Sequence, residues 1–399
     1  MPEKGSYMLK RIFAVAIVGL SAIAMGAEMR LIRNGIVLDK LPDGLFGSPN
    51  NPGGIARTAS GEWGTVIRTG EDSVQDSTLI YGSKDQGKSW YHIRTLRETN
   101  PTRAATYYVY QLPDNKQLFI ELIIQHTRRP QSYVDMVRNN LRKYMVLRAY
   151  VSEDGGRSMQ FIQELVSKEC YQGAVVCGEL ITLPDGDILL PAYLSAPRKP
   201  GLIAGVGFFR SSNQGKSWQS FERSIFPAHG DEKVAFNEVT YTLNDDGVLF
   251  AWVRTDTSNQ YIEPMYKAVS RDNGKTWSKA EKTSLLGIYP YAIKLKNGLW
   301  VLMIGVRNDR YRDRVIHFYT SKDGENWEFS GRPYHFKPED KNGLTDPKWG
   351  QTGGAQAMME TENGQVYVIF SAGDLHVGDS RLRPTLFKYV DGNLLEFRP

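Results

Sequence analysis

Three arginines recur near one register of a repeated hairpin, and arginine is the side chain best shaped to hold a carboxylate. Arg68 and Arg254 stand seven residues beyond their turn glycines, Gly61 and Gly247, and Arg307 stands nine beyond Gly298. Tyr193 fills the same register, seven beyond Gly186. A guanidinium presents a planar fork that grips a carboxylate through two parallel hydrogen bonds, so several forks converging on one point make a site for an anionic ligand. Each arginine alone equally suits a solvent-facing strand end; the shared register is what favours convergence.

Other side chains supply acid–base and nucleophilic chemistry. Glu238, in "FNEVTYTLNDDGVLFAWVR", precedes Arg254 by sixteen residues. A buried carboxylate beside a phenol takes its proton and makes a weak nucleophile competent; a plain salt bridge is the other reading. Tyr289 and Tyr291, in "GIYPYAIKL", are phenols near the start of a strand, placed either to react or to pack. Asp72 and Asp76, in "GEDSVQDSTLIYGS", are candidate proton donors or members of a solvated loop. His126, in "IELIIQHTRRP", follows another hairpin at the same end. A histidine base, a tyrosine such as Tyr193 and an arginine neutralising a uronate suit β-elimination, because the cation stabilises the developing enolate. A lone histidine there also suits a surface position.

These residues depend on the elements that carry them. Six segments place a Gly or Asn turn between two apolar runs: "RTASGEWGTVI", "LPDNKQLFIEL", "LPDGDILLPAY", "LNDDGVLFAWV", "LKNGLWVLMIG" and "ETENGQVYVIF". Such a pattern is the hairpin signal. Five polar turns also recur: SKDQGKSW, SEDGGRSM, SSNQGKSW, SRDNGKTW and the shortened SKDGENW. Their third residues, Asp85, Asp154, Asn213, Asp272 and Asp323, are separated by 69, 59, 59 and 51 residues. A period of that size fits a four-stranded blade with variable loops, and six units predict an all-β, six-bladed propeller. The N-terminal "MRLIRNGIVL" is expected to complete the last blade as a strand. Met159 replaces the tryptophan of the second turn and the fifth lacks one residue, so both are expected to be looser.

In the S-x-D-x-G-x-S/T-W pattern the acid can accept amide hydrogen bonds, glycine permits a positive φ and tryptophan packs between blades. The turns resemble the Asp-box, or bacterial neuraminidase repeat, of the sialidase superfamily, over roughly residues 45 to 395. That resemblance implies a structural role for the turns at the blade periphery. It also implies an arginine triad for a sugar carboxylate, a tyrosine nucleophile assisted by a glutamate, and an aspartate acid/base. Glu238 and Arg254 match the assisting glutamate and second arginine. The family's first-blade Arg-Ile-Pro is missing; "NNPGGIART" stands there, leaving Arg57 or Arg68 as substitutes. Ala355 stands where the tyrosine is expected. The resemblance implies a glycoside hydrolase on acidic sugars, closest to an exo-sialidase. A uronate lyase and a non-catalytic glycan-binding propeller remain as alternatives.

Lys10 and Arg11 precede an apolar run from Ile12 to Ile23 and the small residues Ala24 and Gly26, the order of a secretory signal. Residues 1–26 are therefore expected to be a signal peptide and 27–399 a single secreted or periplasmic domain, without stable membrane insertion after cleavage. Removing Glu3, Lys4, Lys10 and Arg11 lowers the formal charge from +5 to +3. Basic runs interleaved with aromatics are absent, so nucleic acid is not an expected partner; a carbohydrate is. Two cysteines and six histidines show no metal-ligand spacing, and no cofactor is expected. Cys170 and Cys177 are close enough in sequence for one short disulfide, or stand free.

Overall fold

Apolar runs rich in branched and aromatic residues, broken by glycine and asparagine turns, fold this chain into successive antiparallel hairpins. The structure is a computed structural model and describes residues 26–38, 49–69, 77–166, 173–194, 205–225, 235–255, 264–307, 314–332, 352–372 and 389–398. The expected signal segment, residues 1–26, lies outside them but for Gly26. Among the described residues no helix is long and apolar enough to cross a membrane.

Strand β1 (Glu28–Leu38) comes first, followed by blade 1: β2 (Pro49–Arg57), β3 (Trp63–Thr69), β4 (Ser77–Ser83) and β5 (Tyr91–Arg97). Blade 2 is β6 (Arg103–Gln111), β7 (Gln117–His126), β8 (Arg142–Ser152) and β9 (Gln160–Leu165), with the short helix α1 (Tyr133–Arg138) between β7 and β8. Blade 3 contains β10 (Ala174–Val176), β11 (Ile181–Thr182), β12 (Ile188–Leu194), β13 (Val206–Ser211) and β14 (Glu222–Ile225). Blade 4 is β15 (Phe236–Leu243), β16 (Leu249–Thr255), β17 (Pro264–Ser270) and β18 (Glu281–Leu286). Blade 5 is β19 (Ile288–Lys294), β20 (Trp300–Arg307), β21 (Arg314–Ser321) and β22 (Glu328–Gly331). Blade 6 joins β23 (Thr352–Glu360), β24 (Val366–Ala372) and β25 (Tyr389–Arg398) to β1.

The innermost strands pack side by side round an axis: β2 touches β6 and β23, and β19 touches β15 and β23. The fold is a six-bladed β-propeller. Its closure is as the sequence predicts, with β1 antiparallel to β25 from Glu28↔Arg398 to Leu38↔Val390. Aromatic packing locks the first blade to the last: Trp63 meets Tyr367 edge-on at 5.1 Å, and Trp90 Nε1 donates to Tyr367 Oη at 3.2 Å.

The five polar turns share one hydrogen-bonding scheme. In the first, Ser83 Oγ donates to Asp85 Oδ1 at 2.9 Å, Gly87 N–H to Ser83 Oγ at 2.8 Å, and Ser89 Oγ to Asp85 Oδ2 at 2.6 Å. The second and fifth turns are not looser. Asp154 accepts from Ser158 N at 2.9 Å and Ser158 Oγ at 2.6 Å, and Asp323 accepts from Glu325 N and Asn326 N at 2.9 and 2.8 Å. The carboxylate organises the turn, so a changed aromatic or a lost residue leaves its bonding intact.

Irregularities cluster near the beginning of the innermost strands. Register shifts fall between Phe236 and Val239 in β15, between Ile288 and Tyr291 in β19, and between Thr352 and Gln356 in β23. A bulge bends its strand and re-aims the unpaired side chains. Blade 3 goes further: its innermost strand is split into β10 and β11, both paired to β12.

Candidate functional site

The bulges deliver the first part of the site. Glu238 lies in the blade-4 bulge and Tyr289 in the blade-5 bulge. Arg254, one residue before the end of β16, places Nη1 2.6 Å from Glu238 Oε1, with both residues buried. The backbone N–H of Tyr289 donates to the other oxygen, Oε2, at 3.0 Å. Tyr289 holds φ at +51°, a left-handed conformation that costs a bulky residue about 1–3 kcal/mol and survives only where its surroundings over-determine it. Here the bond to Glu238 and the Arg254 guanidinium, 5.5 Å from the ring centroid, fix it. Glu238 is thus the counter-ion and positioning group of Arg254.

The split in blade 3 delivers the second part. Gly178, at φ +61°, sits where an added Cβ would lie 2.6 Å from Val239 O, so only glycine lets this segment press against β15. Cys177 is a free thiol in the same excursion; its Sγ accepts from Val239 N at 3.3 Å. Cys170 lies outside the described residues. Glu179 follows and accepts a short hydrogen bond from the Tyr291 phenol of β19. Burial raises the Glu179 carboxyl to about 7, with the Tyr291 bond and the Leu180 amide opposing the rise. Burial first, then the Glu179 charge, pushes the Tyr291 phenol well above its ordinary range. Near neutral pH the pair therefore combines a protonated phenol with a carboxyl poised between its two forms.

Tyr110 ties this pair to the first blade. It feels Cys177, Tyr108 and Glu179, all raising its pKa, and Arg68, which lowers it, with burial the largest cause of its upward shift. Arg68 is buried, donates to Tyr108 Oη at 3.0 Å and stacks over that ring at 4.9 Å. The axis thus gathers two guanidinium groups, two glutamates and several phenols. Such a set can neutralise an anionic ligand and move a proton beside it.

The other candidates fall elsewhere. Asp72 and Asp76 lie outside the described residues. The backbones of Arg307 and Ala355 belong to β20 and β23, and their side chains lie outside the described set. Tyr193 is half-buried in β12, paired with Val175 and Val206 and packed against the core of blades 3 and 4. His126 is buried at the end of β7, its backbone N–H donating to Thr102 O at 2.8 Å, and lines a cleft of blade 2. Among the described residues no cluster of His, Cys, Asp or Glu is arranged to hold a metal. Glu179 escapes a search by register because it lies in no hairpin arm, and Tyr108 and Tyr110 escape it because they stand in β6, on the arm before the turn, where a count past the turn does not reach. Its trace in the sequence is "AVVCGELIT", an apolar run interrupted by glycine and a lone acid.

Similar structures place this geometry in context. A protein of unknown function from Dyadobacter fermentans superposes with a TM-score of 0.67 at 19% identity, covering 93% of this chain and 99% of that one. The NanB sialidase of Streptococcus pneumoniae gives 0.60 at 14% identity, covering 91% of this chain and 70% of that one. An α-L-arabinanase of Penicillium chrysogenum, complexed with arabinobiose, gives 0.58 at 14% identity, with coverages of 92% and 98%. At such identities the likeness carries the fold alone. No curated protein matches the chain in sequence. Residues 131–368, however, match the BNR repeat-like domain, and with six hairpin blades and five repeated turns the chain belongs to that family of sialidase-like propellers.

Proposed function

We propose that this protein is an exported glycoside hydrolase that cleaves carboxylate-bearing sugars at the axis of the ring, with an α-sialoside as the nearest substrate type. The observation that carries this reading is the Tyr291–Glu179 pair, set in one buried cluster with Arg68 and beside the Arg254–Glu238 ion pair. Arg68 and Arg254, joined by Arg307 from the same end of blade 5, take the sugar carboxylate. Tyr291 Oη attacks the anomeric carbon while its proton passes to Glu179, a stronger base than an ordinary glutamate because burial disfavours its charge. The glycosidic C–O bond breaks, and the leaving oxygen takes a proton from Asp72 or Asp76, which follow β3. Water then attacks the same carbon, giving one proton to that aspartate, and Tyr291 departs and regains its proton from Glu179. The segment from Lys10 to Gly26 supports export, and the sialidase-like fold supports the sugar chemistry.

The test is release of fluorophore from a 4-methylumbelliferyl sialoside and glucuronide by wild-type protein, Glu179→Gln and Tyr291→Phe. Wild-type release from at least one substrate, reduced about 10²-fold or more in both variants, is the expected result. Undiminished release by Glu179→Gln, or none from either substrate by wild type, overturns the reading. An unsaturated product absorbing in the ultraviolet marks β-elimination instead.

A further inference from the structure

Two residues ahead of β1 are bonded into the flank of blade 5. Gly26 N–H donates to Phe329 O of β22 at 3.3 Å, and Ala27 N–H donates to Thr320 Oγ1 of β21 at 2.9 Å. The Thr320 hydroxyl is itself 2.8 Å from Ser330 Oγ of β22, so three segments meet at one point. Thr320 is buried, and Ala27 is buried within the apolar core shared by blades 5, 6 and 1. From there the backbone continues into β1 and pairs with β25. Residues 26 and 27 thus strap blade 5 to the closing strand of blade 6.

Gly26 fits this place because it has no side chain. A Cβ there would lie 2.6 Å from Thr320 Oγ1, 2.7 Å from Ser330 Oγ and 2.8 Å from Glu328 O. Two of those atoms bond to each other and the third is backbone, so none gives way without loss. Close approach of one backbone to another is a standing reason for glycine. The requirement belongs to the folded domain and has no place in a segment that is discarded.

The sequence offers a signal-removing protease two cuts, because small residues stand last and third-last before each. Ala22-Ile23-Ala24 precedes Met25, and Ala24-Met25-Gly26 precedes Ala27. The products differ at the strap. A cut after Gly26 removes the bond to Phe329 and turns the Ala27 amide into an ammonium, a charge held in a buried position against a neutral hydroxyl. Burying a charge without an opposing one is unfavourable. A cut after Ala24 keeps both amides neutral and puts the new charge on Met25, upstream of the strap.

We infer that processing occurs between Ala24 and Met25, so that the exported protein begins Met25-Gly26-Ala27 and its first residues complete the seam between blades 5 and 6. The inference rests on the export reading, and it moves the boundary expected from the sequence by two residues.

The full chain is expressed in a bacterial host, and the exported protein is read by N-terminal sequencing and intact mass. The expected start is Met25; a start at Ala27 overturns the inference. Two substitutions read the same choice independently. Ala22→Leu puts a bulky residue third before the proposed cut but fifth before the other, so most of the Met25 product is expected to be lost; maturation identical to wild type overturns the inference. Gly26→Ala leaves a small residue before the other cut and is processed under either choice. With the cut after Ala24 the exported variant carries the added methyl and melts at a lower temperature than wild type. With the cut after Gly26 the two mature proteins are identical, and an unchanged melting temperature overturns the inference. Failure of the export reading itself looks different: wild type and both variants then stay in the cell at precursor mass, which overturns both, whereas a start at Ala27 leaves export standing.

Discussion

Tyr291 and Glu179 meet at the axis from positions 112 residues apart, the tyrosine on the innermost strand of blade 5 and the glutamate in the break of blade 3. Neither residue is remarkable in its own strand; the ring brings them together. For the proposed reaction, the carboxyl raised to about 7 implies that turnover climbs as pH rises through neutrality, since only the ionised form accepts the phenol proton. The sign for stability is opposite. A carboxyl whose folded pKa exceeds its ordinary 4.5 favours the fold below that value and loses this contribution as pH rises to about 7. Glu179→Gln is therefore expected to lose turnover yet melt at a higher temperature than wild type at pH 8, with the gap shrinking at pH 5. Paired pH–rate and pH–melting profiles check both.

Arg254 and Glu238 offer a different energetic test. Their side chains are 8% and 6% exposed, so removing the arginine strands a buried carboxylate. Arg254→Ala is expected to destabilise the fold by about 3–5 kcal/mol, whereas Arg254→Leu/Glu238→Leu recovers most of that loss. Urea unfolding of both variants decides. A double variant as unstable as the single would show that the pair contributes packing rather than charge compensation.

The polar turns contribute to the stability of the fold towards acid. Asp272 is held at about 2 chiefly by the Thr276 hydroxyl and amide; at Asp323 burial is the largest single influence and raises the carboxyl, but the Asn326 amide and side chain, the Glu325 amide and Ser321 together outweigh it and hold it at about 2. Depressed carboxyls stabilise above their ordinary 3.8 and lose that contribution as pH falls towards 2. Asp272→Asn copies Asn213, whose Oδ1 already accepts from Ser217 N at 2.9 Å. The variant is expected to fold and to show a shallower fall in melting temperature between pH 4 and pH 2.

Gly178 and Gly186 separate backbone strain from crowding. Both have positive φ, but a Cβ at Gly186 meets open space and one at Gly178 meets Val239 O at 2.6 Å. Gly186→Ala is expected to cost about 1 kcal/mol. Gly178→Ala should cost more and also reduce fluorophore release, because the Glu179 segment must move. Denaturation and turnover measured together distinguish the two effects.

The fold was legible because its signals are local and repeated. A turn such as SRDNGKTW states its own geometry in eight residues, and the six repeated hairpins state the number of blades. Even the joining of β1 to β25 follows from the unmatched strand left at each end. Register likewise anticipated that Arg68 and Arg254 stand at matching ends of β3 and β16, since hairpin arms of equal length end at one level. It did not locate Glu179, which belongs to an interruption and not to the repeat. Nor did it reveal that Glu238 would engage Arg254 and the Tyr289 amide, because the bulges that turn those residues together add unpaired positions that a counting rule treats as ordinary strand.

The pairing of Glu28 with Arg398 also bears on how the molecule comes into being. Spatially the circle has no first blade, and a short linker between these residues, with new ends opened at the exposed turn near Asp246, would leave every strand pairing in place. Synthesis does impose an order. The partner of β1, β25, follows every other described strand in the chain, so β1 cannot take this pairing until residues 389–398 exist. Closure of the ring thus waits on synthesis of residues 389–398, and a chain interrupted before them is left with two unsealed ends.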